Sequence, residues 1–577
     1  MKKLSAYIWQ FKWRYLLAIT ALFIAVTLDM FAPRLTRLMV DEVIVGGKLS
    51  LFKWIIAGFL GIGIGRCVFQ FVKEYTFDST GNLISVTIRK DLFHHIQSLS
   101  ADYFDKTNTG ELMSRCKDDV DRIWDALGYV GMLIIEVVYH TVAVLWCMGT
   151  INWKLTIIPL VAIILCGSVA VVMERALGKV YEEISEENAV LNTVAEENLG
   201  GVRTVKSFAR EKFEIQKFLS HNKQYYDLNM KQSKVFVRYY PIFSVVTKLL
   251  PVLALLFGGH YVVEQTMTLG ELSAFVEYSM NIVWPMEMLG WLTNSLSSAV
   301  ASNKKLKKIF CEKPSVTECE TPAALEEVKG TVTFDHVSFH KADQYEILKD
   351  ISFEIPAGKT LGIMGATGAG KTSIVQLLQR MYDVTGGSVR IDGTDIRDMT
   401  LEQVRTSVGY VMQDVFLFSD TINENIRLGK KHKLKQKDIK HAAWDASAGS
   451  FIENLDGEYD TVIGERGVGL SGGQKQRISI ARALAKKNPI LVMDDSTSAL
   501  DMETEHEIQD MLHQKKGITK IIIAHRISAV RYAEEIIVLE EGQVAERGTH
   551  EELMEQRGLY YETYLSQYGT YMREEVG

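Results

Sequence analysis

The run Gly365-Ala-Thr-Gly-Ala-Gly-Lys371-Thr372 follows directly on a short apolar stretch, 360–364. Glycines and small residues at this spacing let successive backbone N–H groups turn inward. A helix starting near Lys371 adds the positive end of its dipole, so the loop is a cradle for phosphates. Gly365, Thr367, Gly368, Ala369, Gly370 and Ser373 are the expected cradle residues, with Lys371 reaching the β- and γ-phosphates and Thr372 ligating magnesium. A second apolar run, 490–494, closes on Asp494, a strand end suited to holding magnesium through a water, and Asp495 follows it. Between the two runs, Leu470-Ser-Gly-Gly-Gln474 opens a helix expected over 475–485, whose Gly-rich, electropositive start suits a γ-phosphate.

These groups need an α/β scaffold, and from about residue 331 onward the pattern supplies one: short apolar strands, including 331–339 and 360–364, between polar helices. The 577 residues suffice for two or more domains, and the 47% apolar content averages over two unlike halves. A net charge of -7, with no basic stripe interleaved with aromatics, excludes a nucleic-acid surface. Cys67, Cys116, Cys147, Cys166, Cys311 and Cys319 show no metal spacing, and several fall in apolar stretches, as reduced structural thiols do. The charged segment 303–327, with Pro314 and Pro322, reads as a linker between a membrane domain, 1–302, and the α/β domain, 328–577.

In the first half, 15–31, 54–75, 127–150, 155–173, 242–263 and 272–292 are apolar enough to cross a bilayer, giving six candidate spans. Tyr7, Trp9, Phe11 and Trp13 precede the first of them, as in an interfacial helix and unlike a cleavable signal. The long polar connections after the second and fourth spans carry Arg89, Lys90, Arg115, Arg122, Arg175, Arg203 and Arg210, which places both, and both termini, in the cytoplasm. Asp29, Glu136, His140 and Glu287 are ionisable residues within spans. Each asks for a water-filled cavity or a partner on a neighbouring helix, and both readings stay open. On the first, Glu136, His140, Trp284 and Glu287 line a substrate cavity, because acids beside aromatics and Met suit bulky cations.

The ordered set of phosphate loop, Leu470–Gln474 motif and paired acids, downstream of six spans, resembles a bacterial ABC exporter half-transporter. The resemblance implies an α-helical six-span transmembrane domain followed by an α/β P-loop ATP-binding cassette, with ATP and Mg2+ as ligands and the lipid bilayer of the cytoplasmic (inner) membrane as its setting. It implies that Gln413, in Val411-Met-Gln-Asp414, touches magnesium or the attacking water, that Asp495 holds the general-base position, and that His525 is the switch histidine. Ser471, Gly472, Gly473 and Gln474 would serve ATP held by an opposite cassette, and Ser498–Asp501 matches the family's D-loop, with Asp501 expected among the nucleotide-binding residues. Segments 101–110 and 199–209 resemble the family's coupling elements, expected to dock on cassettes.

Two positions depart from the family. Asp495 stands where Glu is usual, and losing one methylene draws the carboxylate back from the reach of about 2.6–3.2 Å that base catalysis requires, so hydrolysis at this site is expected to be slow. Lys341 stands where an aromatic usually stacks on adenine, with His340 and Tyr345 as out-of-register substitutes. Both fall on the chain's own site, while the motif lent to the other site is intact, a pattern similar to heterodimeric exporters; a homodimer in which Asp suffices is the alternative. The expected activity is ATP-driven export of small amphipathic or hydrophobic compounds with a second half-transporter. Lipid or peptide export, or an ATP-gated regulatory subunit, are the rivals.

Overall fold

The computed structural model describes residues 4–323, 325–341, 346–430 and 434–574, which form two compact units. One comprises Met1–Ser98 with Asn108–Glu312, the other Leu99–Thr107 with Lys313–Gly577.

The first unit is helical. Among the described residues five helical stretches are long and apolar enough to cross a membrane: Lys12–Val45, Leu49–Ser98, Thr109–Ile151, Trp153–Gly200 and Glu211–Val263. A helix of 48 residues such as Trp153–Gly200 extends roughly 70 Å, more than twice the hydrocarbon thickness, so the polar connections are continuations of the spans. The sixth expected span, 272–292, divides between the helices Leu269–Asn281 and Val283–Cys311. The second of these runs on to Cys311, through the first part of the expected linker. Tight turns are set by polar caps. Asn152 accepts from the N–H groups of Lys154 and Leu155, and Thr268 and Glu271 form a reciprocal capping box. Asp41 fastens that box to the first helix, accepting from Thr268 Oγ1 at 2.7 Å and Gly270 N at 2.8 Å.

The intramembrane charges are mostly paired. Arg66 binds Asp29 at 2.6 Å, and Lys73, fully buried, donates to both oxygens of Glu136 at 2.9 Å. Glu136 is therefore neutralised by a neighbouring helix, and His140 packs against Trp284 with ring centroids 6.1 Å apart.

Among the described residues the second unit contains ten strands. In chain order they are Val332–His340 (β1), Glu346–Ile355 (β2), Thr360–Gly365 (β3), Gly386–Ile391 (β4), Thr394–Asp395 (β5), Val408–Val411 (β6), Ile490–Asp494 (β7), Thr519–Ile523 (β8), Glu535–Glu540 (β9) and Gln543–Gly548 (β10). A small antiparallel sheet runs β2-β1-β4-β5, and a larger one runs β10-β9-β3-β8-β7-β6, parallel from β9 to β6. The parallel strands are apolar on both faces, as β7 shows with five consecutive buried residues, because helices and the small sheet cover them. Among the described residues three apolar cores result: one joins both sheets to the helix Lys371–Leu378, a second gathers the helices between β6 and β8, among them Gly472–Ala485, and a third lies between β9 and the C-terminal helices around Ile536, Leu553 and Tyr560.

Removing one partner of the Lys73–Glu136 pair should leave a buried charge uncompensated. Glu136→Gln is expected to destabilise the membrane unit by about 3–5 kcal/mol, and the double change Lys73→Met with Glu136→Met to recover most of that loss. Thermal unfolding in lipid nanodiscs measures both; equal unfolding of Glu136→Gln and wild type would contradict the pairing.

Candidate functional site: a phosphate-binding edge

Three neighbouring strands of the parallel sheet bring their chemistry to one edge. β3 ends in the phosphate loop, β8 ends two residues before His525, and β7 ends on Asp494, with Asp494 level with Ile523 and Ile363 level with Ile523 in the ladders. Gly365, Gly368 and Gly370 take φ of 142°, 88° and 96°. A Cβ on Gly365 would lie 2.3 Å from Leu539 O and one on Gly370 2.6 Å from Leu348 Cδ2, so the loop lies too close to β9 and β2 for any side chain there. Thr367 is exposed at the loop's tip, Ala369 is buried under it, and Ser373 donates its N–H back to Gly370 O at 3.1 Å. The result is a rigid backbone concavity at a helix start, which fits a polyphosphate.

Lys371 opens the helix Lys371–Leu378 and is buried, its Nζ donating to Gly365 O at 2.8 Å and Ala366 O at 2.9 Å. Burial pushes its pKa down, while the carboxylates of Asp494 and Asp495 pull it up. Thr372 Oγ1 donates to Asp494 Oδ1 at 3.4 Å, and the Tyr410 hydroxyl donates to Asp494 Oδ2 at 3.2 Å. Burial raises the Asp494 pKa against the hydrogen bonds from Thr372 and Tyr410, with Asp495 adding to the rise and Lys371 opposing it. A hydroxyl and a carboxylate converging in this way are the oxygen donors a hard divalent cation takes, and magnesium held by them would neutralise phosphate charge.

Asp495 begins the turn after β7 with φ of 44°; its N–H donates to Ile523 O at 2.9 Å and its carbonyl accepts from Ser498 Oγ at 3.0 Å. The root of its side chain is thus fixed between β7 and β8. His525 is exposed, its carbonyl held by Gln567 Nε2 at 2.7 Å, and a cavity of about 420 Å³ joins it to Gly365, Ala366, Glu540 and Tyr560.

Other expected residues lie apart. Gln413 is exposed beyond β6 and makes no hydrogen bond to Thr372 or Asp494 among the described residues. Ser471 and Gln474 cap one another, at 2.9 and 3.3 Å, and the helix starts at Gly472 and Gly473 rather than at 475 because that cap closes its first turn. Asp501 caps Met502–Gln514 through Thr504. Lys341 departs furthest from expectation: its Nζ binds Asp105 Oδ2 at 2.6 Å and sits 4.8 Å over the Tyr382 ring. His340 is exposed at the end of β1, and Tyr345 falls outside the described residues.

Several residues not singled out by spacing support the site. Tyr410 reaches Asp494 from β6. Gln476 accepts from Ala499 N at 3.1 Å, tying the Gly472–Ala485 helix to the turn before Asp501. Buried Glu505 accepts from Arg526 at 2.6 Å and Thr497 at 3.2 Å, joining that turn to the residue after His525. Arg482 donates to Phe416 O at 2.9 Å and Asn425 O at 2.8 Å, its pKa pushed down to about 10 by burial, and so anchors the stretch after Gln413 to the same helix. None belongs to a motif, and only the fold brings them together.

Because the Asp494 carboxyl is held above the ordinary range near 4, it loses its charge at a higher pH than an exposed aspartate does. Magnesium needs the charged form, so Mg-nucleotide affinity is expected to fall on acidification already above that range. Tyr410→Phe removes a hydrogen bond to the charged form and should move the fall to higher pH, while Asp494→Asn should flatten it and weaken affinity at neutral pH by about 10–100-fold. Fluorescent-nucleotide titrations over a pH series check this; superimposable Tyr410→Phe and wild-type profiles would contradict it.

Residues 15–286 match the ABC transporter transmembrane region and residues 348–498 match the ABC transporter family. The chain is 35% identical over 98% of its length to an uncharacterized ABC transporter ATP-binding protein, YknU, of Bacillus subtilis, covering 97% of that protein. It is 34% identical to a putative multidrug export ATP-binding/permease protein, YgaD, of the same organism, over 97% of this chain and 98% of that one. It is 31% identical to an ATP-dependent lipid A-core flippase of Syntrophus aciditrophicus, over 98% and 94%. A bacterial Atm1-family ABC exporter solved with ATP bound superposes with a TM-score of 0.84 at 28% identity, over 96% of this chain and 99% of that one. With a membrane-spanning unit, a phosphate-binding edge and full-length likeness to such proteins, the chain belongs to the ABC transporter family: a transmembrane region fused to an ATP-binding cassette, an ATPase coupled to transport.

Proposed function

We propose that the chain is one half of an ATP-driven exporter of hydrophobic or amphipathic, drug-like compounds in the cytoplasmic membrane, and that it works with a different half. The observation that carries the reading is the division of the cassette's phosphate-binding parts between two of its cores. Lys371, Thr372 and Asp494 converge on the sheet edge, whereas Ser471–Gln474 cap a helix rooted in the other core and are bonded to one another. A second cassette, offering its own helix start to this edge and receiving Ser471–Gln474 and Asp501 at its own, completes both sites. Exposed Met412, Phe416 and Phe418 around Gln413, and exposed Leu199 and Phe208 flanking the short helix Val202–Ser207, are further surfaces that call for a partner. ATP would close the paired cassettes and turn the spans outward, and hydrolysis would reset them; Thr372 and Asp494 would hold magnesium, which neutralises phosphate charge, Gln413 would have to move from its exposed place beyond β6 to join them, and His525 and Asp495 would serve the γ-phosphate.

The substrate class rests on a cavity of about 660 Å³ in the membrane unit, lined by Phe236, Tyr240, Phe243 and Trp291 together with Glu174, Arg175 and Glu287. Aromatic walls with an acid, Glu287, that has no ion pair among the described residues suit amphipathic compounds, cations among them. Glu287 reaches this cavity, whereas Glu136 is spent on Lys73 and neither it nor His140 or Trp284 is among the lining residues. Relatives named for multidrug export and for lipid A-core flipping support the same class, with lipid as the second reading.

The different-half reading follows from Asp495. The full chain alone should hydrolyse ATP slowly, and Asp495→Glu should raise its turnover by about tenfold or more, since a positioned general base contributes 10²–10⁴-fold. Reconstitution with the half-transporter encoded beside it should give the higher rate without that change. Brisk turnover by the lone wild-type chain, equal to that of the pair, would show that Asp495 suffices and that two copies of this chain form the exporter.

A further inference from the structure

Leu99–Thr107 connects two helices of the membrane unit, Phe52–Ser98 and Thr109–Ser114, yet it clusters with the cassette. Its helix, Ala101–Lys106, is held at both ends. At the first, Ser100 Oγ accepts from Val316 N at 3.0 Å, Asp102 accepts from Ser315 Oγ at 2.8 Å, and Ala101 packs on the cassette core. At the second, Asp105 Oδ2 accepts from Lys341 Nζ at 2.6 Å and from the Tyr382 hydroxyl at 2.7 Å. Lys341 also lies over the Tyr382 ring, and that ring, itself buried, packs on Phe339 of β1 at 5.6 Å.

These contacts are made by the residue that stands at the sequence position where an aromatic usually stacks on adenine. Lys341 is the first residue after β1, and β1 pairs with β2 through His340 and Glu346, so Lys341 stands at the hairpin whose Ile347 and Leu348 press on Gly370 of the phosphate loop. Tyr382 follows the helix that the loop opens. An ammonium bonded to a carboxylate and resting on a covered ring offers no π-face to a base.

We propose that Lys341 is a positioning residue that fastens the connecting segment Leu99–Thr107 to the cassette through Asp105 and Tyr382, and that it makes no contact with the nucleotide base. The contact that this family position would give to the base has become a mechanical one, so displacement of the hairpin beside the phosphate loop pulls directly on a segment continuous with two helices of the membrane unit. The inference rests on the cassette reading only for the place of Lys341 after β1; the clamp itself rests on the three side chains.

The test uses the full chain in lipid nanodiscs with three variants: Lys341→Ala, Asp105→Asn, and the exchange Lys341→Asp with Asp105→Lys. Two readouts are taken, Mg-ATP affinity by displacement of a fluorescent ATP analogue and amide hydrogen exchange of residues 99–107. Both partners of the clamp are partly exposed, so the effect is moderate: each single variant should speed exchange in 99–107 by about fivefold, and the exchanged pair should restore much of the protection. ATP affinity should stay within about twofold of wild type in Lys341→Ala, far less than the loss of a stacked base would bring. Lys341→Arg, which keeps the charge, should retain protection, a rescue that loss of packing alone would not show. A tenfold or greater loss of ATP affinity in Lys341→Ala with unchanged exchange would overturn the proposal and make Lys341 a base contact. Neither readout requires turnover or transport, so failure of the exporter reading would leave both outcomes legible.

Discussion

The ladder that sets β3, β8 and β7 side by side in parallel is the constraint on which the rest of the cassette depends. Parallel neighbours end on the same side, so the phosphate loop, the Asp494–Asp495 turn and His525 are delivered to one edge. The residues that build the ladder, Leu361, Ile363, Val492, Ile521 and Ile523, are buried and apolar, and they fix where the polar groups emerge. The buried charges at the edge are tolerable only because they answer one another. Lys371 is satisfied by two loop carbonyls and faces two carboxylates, and Asp494 is satisfied by two hydroxyls. A site arranged in this way is set for a polyanion with a divalent cation before either arrives, and little reorganisation is left to binding.

The same economy explains why one copy of the cassette is insufficient. The helix start at Ser471 belongs to the helical core and is reached from the sheet edge through intermediaries: Gln476 to Ala499, then the turn to Thr497, Glu505 and Arg526. That chain of hydrogen bonds joins the strand ends to the helix start, and Arg482 ties the same helix to the stretch beyond Gln413. Asp495 has its backbone pinned between β7 and β8.

Much of this was legible in the residues. The phosphate loop, both apolar strands ahead of their functional residues and most of the spans follow from glycine placement and from runs of apolar residues, which are local signals. What was hidden is non-local. Nothing in the spacing of Tyr410 says that β6 lies beside β7, so its bond to Asp494 could not be foreseen. Lys341 reads as a poor substitute for an aromatic until Asp105, more than two hundred residues upstream, is seen beside it. Glu136 and His140 read as one polar helix face, and only the arrival of Lys73 from another helix shows that the acid is already neutralised. The sixth span reads as one apolar stretch, while the chain breaks it near Ile282 and carries the following helix past the expected linker boundary.

The central claim is that nucleotide held at the ends of β3, β8 and β7 is what drives the membrane unit, and equilibrium binding of Mg-ATP by the full chain in nanodiscs, alone and with its companion half, tests it most directly. Saturable binding that Lys371→Ala abolishes, while unfolding temperature stays that of the wild type, is the predicted result. Binding undiminished by Lys371→Ala, or none in the wild type under either condition, would contradict the account.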